Sequence, residues 1–418
     1  MIDSHSDIPL RNGEISADML YQCLKTKGWA KDGSFQVHSA CDTGSPQQKV
    51  LLASGLASHV FDDLLGRLKP QWRQTLTDML PKDDLSRDDA MNKYREIYEF
   101  MLKNESDLFQ ETAWCTKCQG HCPVAGDAQG RLRVLIAGTE CKAWSASGRQ
   151  QRTGHPSMLT FLVFVFDIRR QQYDIGIHEI TEMHPEEVLP FFLEGYRCVV
   201  VRLAPWHLGW PVNRPRKYTI ITKESLMFEG NEEDFLVTFA QRPQLPVSDL
   251  WASPEADVQS LFEDVATTKA MMPLPGAPRD FRTLLTPFQK HGVDAAIASF
   301  PVECQNQLVV DISKTPSRTA PSLFVPTLLC SSLPWSQELR RWALPEESLT
   351  FQGIPCLPST SEDYECSWVK DLESDLSCSA KQELAGNAMF LPAVGTVLLY
   401  ALCSIPPTTE SGIDICGE

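Results

Sequence analysis

The amino-acid sequence predicts an α/β fold built on an open parallel sheet, together with a smaller loop-rich module. Short apolar runs alternate with helical segments up to about residue 222, which is the pattern of parallel β-α-β units. Between residues 223 and 338 this pattern gives way to prolines, polar spacers and short apolar pieces. With 418 residues, 43% of them hydrophobic, the chain can bury one large core and a smaller one.

The first part of the chain is predicted to alternate helix and strand. Carboxylates stand at the ends of its two predicted strands, Asp42 directly after the first and Asp62-Asp63 at the end of the second. The Asp42 carboxylate can accept hydrogen bonds from a ribose, or it can cap a helix. Residues 1–10 are polar and mixed in charge, so no strand is expected ahead of the first helix. The predicted helices span residues 17–26 and 47–55, and the predicted strands span residues 35–41 and 58–64.

Residues 70–110 are charged and helical in pattern, and a group of soft metal ligands follows them. The group consists of Cys115, Cys118, His121 and Cys122, all within eight residues. Thiolates and imidazole suit tetrahedral zinc, but these four are crowded and no second pair follows at the usual longer spacing. We therefore predict no bound metal, with zinc at these four residues as the alternative.

The remaining predicted elements extend the sheet and cover it. Prolines between residues 209 and 217 forbid regular pairing, so Arg214 and Arg216 are expected on a stiff loop beside the sheet. Ordinary surface charge is the alternative for both arginines. The predicted strands span residues 132–137, 173–177, 198–203 and 218–221, and the predicted helices span residues 157–170, 187–194, 344–353 and 391–405.

A cysteine and a glutamate follow two of these strands. Cys141 stands in a Gly- and Ser-rich loop after the strand at 132–137, and Glu179 follows the strand at 173–177. Strand ends in open α/β sheets are where ligands bind, so the pair predicts a functional site. Taken singly, a buried structural thiol and a strand-end ion pair are the alternatives.

Charge and cysteine content limit the function classes. The formal net charge of -16 argues against a protein that coats nucleic acid by electrostatics alone, although a local basic cleft stays open. The 14 cysteines are scattered through a chain without a signal peptide, which favours reduced thiols and an intracellular protein. No apolar run approaches the ~20 residues that span a bilayer, so no membrane segment is predicted.

Five short motifs stand in order along the chain. They are Glu-Cys-Lys-Ala-Trp-Ser at 140–145, Glu-Ile-Thr at 179–181, Gly-Trp-Pro-Val-Asn-Arg-Pro-Arg at 209–216, Gln-Gly-Ile-Pro at 352–355 and Gly-Asn-Ala-Met at 386–389. This series resembles the cytosine-5 DNA methyltransferase family, whose motifs are a Pro-Cys loop, Glu-Asn-Val, Gln-x-Arg-x-Arg after Gly-x-Pro, Gln-Gly-Phe-Pro and Gly-Asn-x-Val. Five motifs in one order are more specific than any one of them.

The resemblance covers about residues 36–405 and implies a Rossmann-like sheet that binds S-adenosyl-L-methionine. It implies that Asp42 holds the ribose of this cofactor, that Asp63 meets its adenine and that Asn387 belongs to the same site. The implied partner is DNA, with a nuclear location in a eukaryote, and no obligate protein partner can be inferred. The implied domains are a catalytic core over 1–222 with an insertion at 70–130, a target-recognition region over 223–340, and a return to the core over 341–418.

The resemblance also implies a mechanism. Cytosine C5 is a poor nucleophile, so the Cys141 thiolate would first add to C6 and make C5 able to attack a methyl sulfonium. Glu179 would hydrogen-bond the base edge and protonate N3, while Arg214 and Arg216 orient the base and stabilise charge. Because C6 cannot be reached inside a duplex, the base must be flipped out or already unpaired.

The sequence departs from the family pattern at several positions. Glu140 replaces the proline before the cysteine, Ile180 replaces the asparagine of the second motif and Val212 replaces the glutamine of the third. The Phe-x-Gly-x-Gly loop that cradles the methionine part of the cofactor is absent ahead of Asp42.

These departures leave three alternatives open. The first is a catalytically inactive descendant that binds nucleic acid or a partner, and the second is an RNA cytosine-5 methyltransferase of the same architecture. The third is a thiol enzyme unrelated to nucleic acid, which would need His155 or His178 near Cys141.

Overall fold

The structure is a computed structural model, and it describes residues 2–9, 13–81, 85–126, 131–139, 157–271, 279–315, 321–356 and 375–406. For residues 2–9 it describes the backbone. The predicted nucleophile Cys141 lies outside the described residues, as do Glu140 and His155.

The chain divides into two compact units. The first unit comprises the described residues of Met1–Leu203, Pro215–Phe239 and Leu391–Glu418. The second unit comprises the described residues of Ala204–Arg214 and Ala240–Phe390. Both units are therefore assembled from segments that are separated in the sequence.

The first unit is built on a nine-stranded sheet. In chain order its strands are β1 (Ile2–Pro9), β2 (Phe35–Cys41), β3 (Ala57–Phe61), β4 (Thr112–Cys115), β5 (Gly120–Pro123), β6 (Leu132–Gly138), β7 (Ile175–Ile180), β8 (Tyr196–Leu203) and β9 (Arg216–Lys223). They lie in the order β5-β4-β3-β2-β1-β6-β7-β9-β8. The five parallel strands β3, β2, β1, β6 and β7 follow the doubly wound order, and β9 enters antiparallel between β7 and β8. The predicted α/β fold with a Rossmann-like sheet is confirmed.

Strand β1 was not predicted. It pairs in parallel with β2 on one side and with β6 on the other, so it lies at the centre of the sheet. The expectation of no strand ahead of the first helix was wrong, because a strand is held by backbone amides and carbonyls that a polar sequence pattern does not reveal. The family's glycine pattern is nevertheless missing from the sequence between β1 and the helix that begins at Gly13.

Helices cover the sheet of the first unit. The helix predicted at 157–170 is confirmed at both ends, and the helices predicted at 17–26 and 47–55 are confirmed with ends shifted by up to four residues. In chain order the helices are α1 (Gly13–Thr26), α2 (Ser45–Ser54), α3 (Pro70–Met79), α4 (Arg87–Lys103), α5 (Glu105–Leu108), α6 (Ser157–Arg170), α7 (Val188–Phe192), α8 (Glu232–Phe239) and a helix at Leu391–Cys403.

Helix α6 runs through the interior of the first unit. Eleven of its 14 residues are buried, including the carboxylate of Asp167. Asp167 forms an ion pair with the Arg67 guanidinium, and both side chains are 2% exposed. Removing one partner of such a buried pair costs about 3–5 kcal/mol, because the other charge is left unpaired. The pair therefore ties α6 to the 3-10 turn at Leu64–Arg67, just after β3.

The predicted insertion at 70–130 belongs to the same core. Leu76 of α3 and Ile97 of α4 are fully buried in one hydrophobic cluster with Phe61 of β3 and Leu135 of β6. The hairpin β4–β5 extends the sheet beyond β3. This segment therefore forms part of the first unit.

The helix at Leu391–Cys403 packs against α1. Gly395 approaches so closely that a Cβ built there would lie 3.6 Å from the backbone oxygen of Ser16. The longer helical stretch Cys378–Cys403 is long and apolar enough to cross a membrane by length and composition alone, with a mean hydropathy of 1.6. The stretch is interrupted at residues 388–390. Of its most apolar 18-residue segment, 56% is buried inside the protein, as in a core helix.

The second unit contains more helix than the loop-rich module that the sequence predicts. Val258, Phe262 and Ala266 recur at four-residue spacing and are buried on one face of a helix, a signal that the surrounding prolines obscured. Residues 341–390, expected in the catalytic core, are grouped in this unit. Its role in target recognition stays a prediction. Its elements are α9 (Glu255–Thr268), α10 (Phe281–Leu284), α11 (Pro287–Ala298), α12 (Pro345–Thr350), a helix at Cys378–Asn387, and a sheet of β10 (Val309–Asp311), β11 (Pro334–Ser336) and β12 (Arg341–Trp342).

Candidate functional site

Glu179 lies near the carboxyl end of β7, between two neighbouring strands. Its backbone is in register with Gly138 of β6 on one side and with Tyr218 of β9 on the other. The predicted strand ended at residue 177, but β7 continues to Ile180, so Glu179 is a strand residue. Its side chain is 1% exposed. The carboxylate is therefore shielded from water and fixed on the sheet.

Arg216 forms an ion pair with Glu179. The Arg216 Nε atom lies 2.9 Å from Oε1 of Glu179, and the arginine side chain is 12% exposed. The two groups are close, yet they do not meet hydrogen-bond geometry, and neither carboxylate oxygen of Glu179 accepts a hydrogen bond from any described residue. A buried acceptor without a donor is energetically costly. This carboxylate therefore has free capacity for donors of a bound molecule.

The predicted position of Arg216 was wrong in one respect. We expected it on a stiff proline-containing loop, but it is the first residue of β9 and is in register with Leu203 of β8. Pro215 cannot donate to a strand ladder, whereas Arg216 can, so the strand begins directly after the proline.

Arg214 makes a different set of contacts within the second unit. Its guanidinium donates to the backbone oxygens of Leu328 at 3.0 Å, Gly386 at 3.2 Å and Ala388 at 2.7 Å. The side chain is 1% exposed. Arg214 therefore holds two backbone segments of the second unit together, and its predicted catalytic role stays a prediction.

Asn387 lies between two of the carbonyls that Arg214 holds. Its Oδ1 accepts a hydrogen bond from the Cys330 thiol at 3.2 Å. Its neighbour Gly386 has no space for a side chain, since a Cβ there would lie 2.3 Å from the backbone nitrogen of Cys330. This close backbone approach accounts for the glycine of the Gly-Asn motif. The cofactor role of Asn387 stays a prediction.

His178 is held in the interior beside the end of β6. Its Nε2 lies 2.8 Å from Oγ1 of Thr139, and the ring is fully buried. Burial, helped by the nearby His184, moves the pKa of His178 well below its usual value, so the ring is neutral at pH 7. Because Cys141 lies outside the described residues, the thiol-enzyme alternative at His178 stays a prediction.

Asp42 follows β2 and is held in a local turn. Its Oδ1 accepts a hydrogen bond from the backbone N–H of Gly44 at 2.8 Å, and its backbone oxygen accepts from Gln48 Nε2 at 2.8 Å. Its own backbone N–H donates to Phe61 of β3 at 3.3 Å. These bonds fix the carboxylate where β2 leads into α2, the place at which nucleotide-binding folds hold a ribose.

Glu14 is a buried acidic residue that was not predicted from the sequence. It lies in the first turn of α1, and its side chain is 1% exposed. Burial raises the pKa of Glu14 to about 8. A hydrogen bond from its own backbone opposes this rise, and the negative charge of Asp42 adds to it. Two carboxyl groups therefore gather at this end of the sheet. The available signal was an acidic residue directly after Gly13, but the helix was expected to begin only at Ala17.

Asp63 caps the short turn after β3. Its Oδ1 accepts from the backbone N–H of Leu65 at 2.9 Å, and its Oδ2 lies 3.7 Å from the Arg73 guanidinium. Burial raises its pKa above the usual range, although the Leu65 hydrogen bond and Arg73 oppose this. Asp63 therefore acts as the cap of this turn, which the sequence did not predict, and its contact with adenine stays a prediction.

The cysteine-rich segment forms a four-residue cluster, but with a different histidine from the predicted one. The ligand atoms of His59, Cys115, Cys118 and Cys122 all lie within 4.8 Å of one another. His121 is not among them, and its ring packs edge-on against Trp114. His59 comes from the middle of β3, 56 positions before Cys115, so spacing along the sequence could not identify it.

The thiols of the cluster differ in acidity. Burial opposes ionisation of Cys115, but hydrogen bonds from the backbone amides of Cys118 and Val60 outweigh it and lower its pKa below the usual value. Burial and hydrogen bonding with Cys118, together with the charge on Cys115, raise the pKa of Cys122 to about 12. Close thiols repel one another when ionised, and a cation between them would relieve that repulsion.

Comparison with known proteins supports the fold. The structure is similar to a prophage-encoded protein of E. coli named as a DNA modification methyltransferase, with a TM-score of 0.50, 14% identity, and coverage of 97% of this chain and 99% of the other. It is also similar to the Dnmt2 methyltransferase of S. pombe, with a TM-score of 0.46, 12% identity, and coverage of 96% and 98%. No protein-family model and no curated protein sequence matches the chain. The likeness to the E. coli protein shows a methyltransferase-like fold.

Proposed function

We propose that the protein transfers a methyl group from S-adenosyl-L-methionine to C5 of cytosine in DNA, with Cys141 as the nucleophile. The observation that carries the proposal is the buried Glu179 carboxylate, which faces Arg216 and accepts no hydrogen bond from the described residues. Glu179 is in register with Gly138, and Cys141 follows Gly138 by three positions in the sequence. This order along the chain, with Cys141 after β6 and Glu179 on the neighbouring strand β7, supports the proposal.

The chemistry assigns each residue a separate task. The Cys141 thiolate adds to C6 of the cytosine while Glu179 receives the 4-amino group and holds a proton at N3, so that C5 becomes nucleophilic. Bound adenosylmethionine supplies the electrophilic methyl group. Arg216 keeps the Glu179 carboxylate in place and limits the charge that builds up beside the base. The N3 proton then returns to Glu179, the C5 proton passes to solvent, and the C6–S bond breaks to release the Cys141 thiolate, which restores the aromatic ring.

The other half of the sheet fits the cofactor. Adenosylmethionine carries a positive sulfonium and an ammonium group, and its ribose presents two hydroxyl donors. Asp42 is fixed at the end of β2, where it can accept from the ribose, and Glu14 lies buried close to it. Neither oxygen of Glu14 accepts a hydrogen bond from another described side chain. Burial keeps Glu14 protonated at neutral pH, and a cationic group of the cofactor beside it would favour its ionised form.

Covalent trapping tests the proposal directly. Duplex oligonucleotides with 5-fluorocytosine retain fluorine at C5, so a Cys141 adduct formed in the presence of adenosylmethionine cannot resolve. We expect a denaturant-stable complex with the wild-type protein, its loss in Cys141→Ala, and its retention in Cys23→Ala, because Cys23 is exposed on α1. A fluorinated RNA hairpin in a parallel reaction tests the RNA alternative.

An inactive descendant is the second candidate, and Glu140 is the observation that favours it. A carboxylate beside Cys141 would oppose thiolate formation if both faced one cavity. This candidate predicts a folded sheet that neither binds adenosylmethionine in calorimetric titration nor forms the adduct. Cofactor binding together with adduct formation on either nucleic acid would exclude it.

A further inference from the structure

The four-residue cluster, defined as His59, Cys115, Cys118 and Cys122, has the dimensions of a tetrahedral metal site. The Cys118 sulfur lies 3.6 Å and the Cys115 sulfur 3.9 Å from Nδ1 of His59. Zinc bonds of about 2.3 Å to sulfur and 2.0–2.1 Å to nitrogen place two such ligand atoms about 3.6 Å apart. The four side chains therefore need only small adjustments to share one ion.

The backbone around the cluster supports ionised sulfur. The amides of Val60 and Cys118 both point at the Cys115 sulfur, each at 3.4 Å. Amide donors of this kind orient thiolate ligands and stabilise their charge. The chain turns sharply after Cys118, where Gln119 adopts a φ of 53°, and this turn returns the chain to Cys122. The Cys-x-x-Cys turn thus presents its sulfurs to one point.

The hairpin that carries the cysteines is joined to the sheet by few backbone bonds. Among the described residues, β4 is in register with β3 at one position, Phe61 opposite Cys115, and a further bond joins the Thr116 amide to the Val60 oxygen at 2.7 Å. His59 stands on β3, whereas the three cysteines stand on the hairpin and its turn. An ion at the cluster would fasten the hairpin to β3.

We propose that the cluster binds one zinc ion as a structural site. Three thiolates and one imidazole form a soft ligand set with all four positions supplied by the protein, which is the composition of closed zinc sites rather than catalytic ones. Binding converts three thiols to thiolates and releases their protons to solvent. The ion clamps the β4–β5 hairpin against β3 at His59, three residues ahead of Asp62. Zinc content does not depend on methyl transfer, so this proposal can fail or succeed separately from the proposed function.

The matched histidines provide the sharpest test. The full-length protein, its His59→Ala and Cys118→Ser variants, and the controls His121→Ala and Cys23→Ser are purified without chelator, and zinc is measured by elemental mass spectrometry. We expect about one zinc per chain in the wild type and both controls, and less than about one fifth of that in the two cluster variants. Equal zinc in wild type and His59→Ala, or loss of zinc in His121→Ala, would overturn the assignment.

A second measurement uses only the wild-type protein, in case a variant fails to fold. Replacement of zinc by Co²⁺ is expected to give intense visible bands of tetrahedral cobalt and a near-ultraviolet thiolate band. A chelator should expose three additional thiols to a colorimetric reagent. Absence of metal with no uptake of Zn²⁺ or Co²⁺, a disulfide between cluster cysteines, or iron–sulfur absorption would each overturn the zinc site.

Discussion

The two halves of the large sheet carry their charged groups differently. At the ends of β1–β3, Glu14 and Asp42 gather two carboxyl groups, and burial raises the pKa of Glu14 to about 8. On β7 and β9, the Glu179 carboxylate faces the Arg216 guanidinium instead. We call these regions the acidic half and the paired half; under the proposed function, the first would face the cofactor and the second would face the polar edge of the base. The difference shows that one sheet carries two distinct polar regions, one with two neighbouring carboxyl groups and one with a carboxylate–guanidinium pair.

Glu179→Gln gives the largest expected effect. It removes the proposed general acid of the Glu179–Arg216 pair and leaves Glu14 and Asp42 unchanged. We expect methyl transfer to fall by about 10³-fold, within the range for loss of a general acid, while adenosylmethionine binding stays unchanged. The measurement is single-turnover transfer of labelled methyl to DNA at saturating cofactor. Glu182→Gln, at an exposed position three residues on, is the control. If adenosylmethionine binding fell as much as methyl transfer, Glu179 would contribute to cofactor binding as well, which contradicts the division into two halves.

The two arginines of the third motif separate catalysis from stability. Arg214→Ala leaves three backbone oxygens without their donor, so we expect a loss of roughly 2–4 kcal/mol in the free energy of unfolding. Arg216→Ala should instead lower methyl transfer by about 10²-fold, because it removes the partner of Glu179. Denaturant unfolding and single-turnover transfer, applied to both variants, check this division. Similar stability losses in the two would contradict it.

Asp42→Asn tests the acidic half. Asparagine keeps an oxygen to accept from Gly44, so the local turn is preserved while the negative charge is lost. We expect adenosylmethionine affinity to fall by about tenfold to a hundredfold, in line with hydrogen bonds to charged groups. Calorimetric titration measures this affinity, and Asp62→Asn, at the exposed position directly after β3, is the control. Unchanged affinity would remove Asp42 from the cofactor site.

Glu14 makes stability depend on pH. Because its pKa is about 8 in the folded chain and about 4.5 when unfolded, the folded chain keeps a proton that the unfolded chain loses between these values. The free energy of unfolding therefore falls as pH rises through this window, by at most about 1.4 kcal/mol per pH unit. Denaturant unfolding between pH 5 and 8 should show a steeper decline in the wild type than in Glu14→Gln. Equal slopes of unfolding free energy against pH in the two proteins would contradict the raised pKa of Glu14.

Regular elements with clear periodicity could be predicted from the sequence. Strand β2 and helix α6 begin and end where expected, because a buried strand and an apolar helix carry their pattern in their side chains. Strand β1 could not be predicted, since its sequence is polar and its pairing depends on backbone groups. Helix α9 was hidden by flanking prolines, although its spacing of apolar residues is regular.

The candidate site was predictable where it follows strand ends and unpredictable where it depends on distant pairing. Asp42 and Glu179 were identified as carboxylates at or after strands, and both lie at such positions. His59 joins three cysteines because β3 lies beside β4, and no local pattern reveals that neighbour. Arg214 and Arg216 are two positions apart, yet their contacts differ because one precedes a strand and the other begins it.

The packing of Leu391–Cys403 on α1 has a consequence for biosynthesis. These two helices belong to one compact unit, but the 151 residues of Ala240–Phe390 are translated between the sheet and the later helix. At about 5–20 residues per second, the ribosome takes roughly 8–30 s to pass that interval. During this delay the apolar surface of α1 that the later helix covers is open to solvent. Folding of the first unit is therefore expected to finish only after the helix at Leu391–Cys403 emerges from the ribosome.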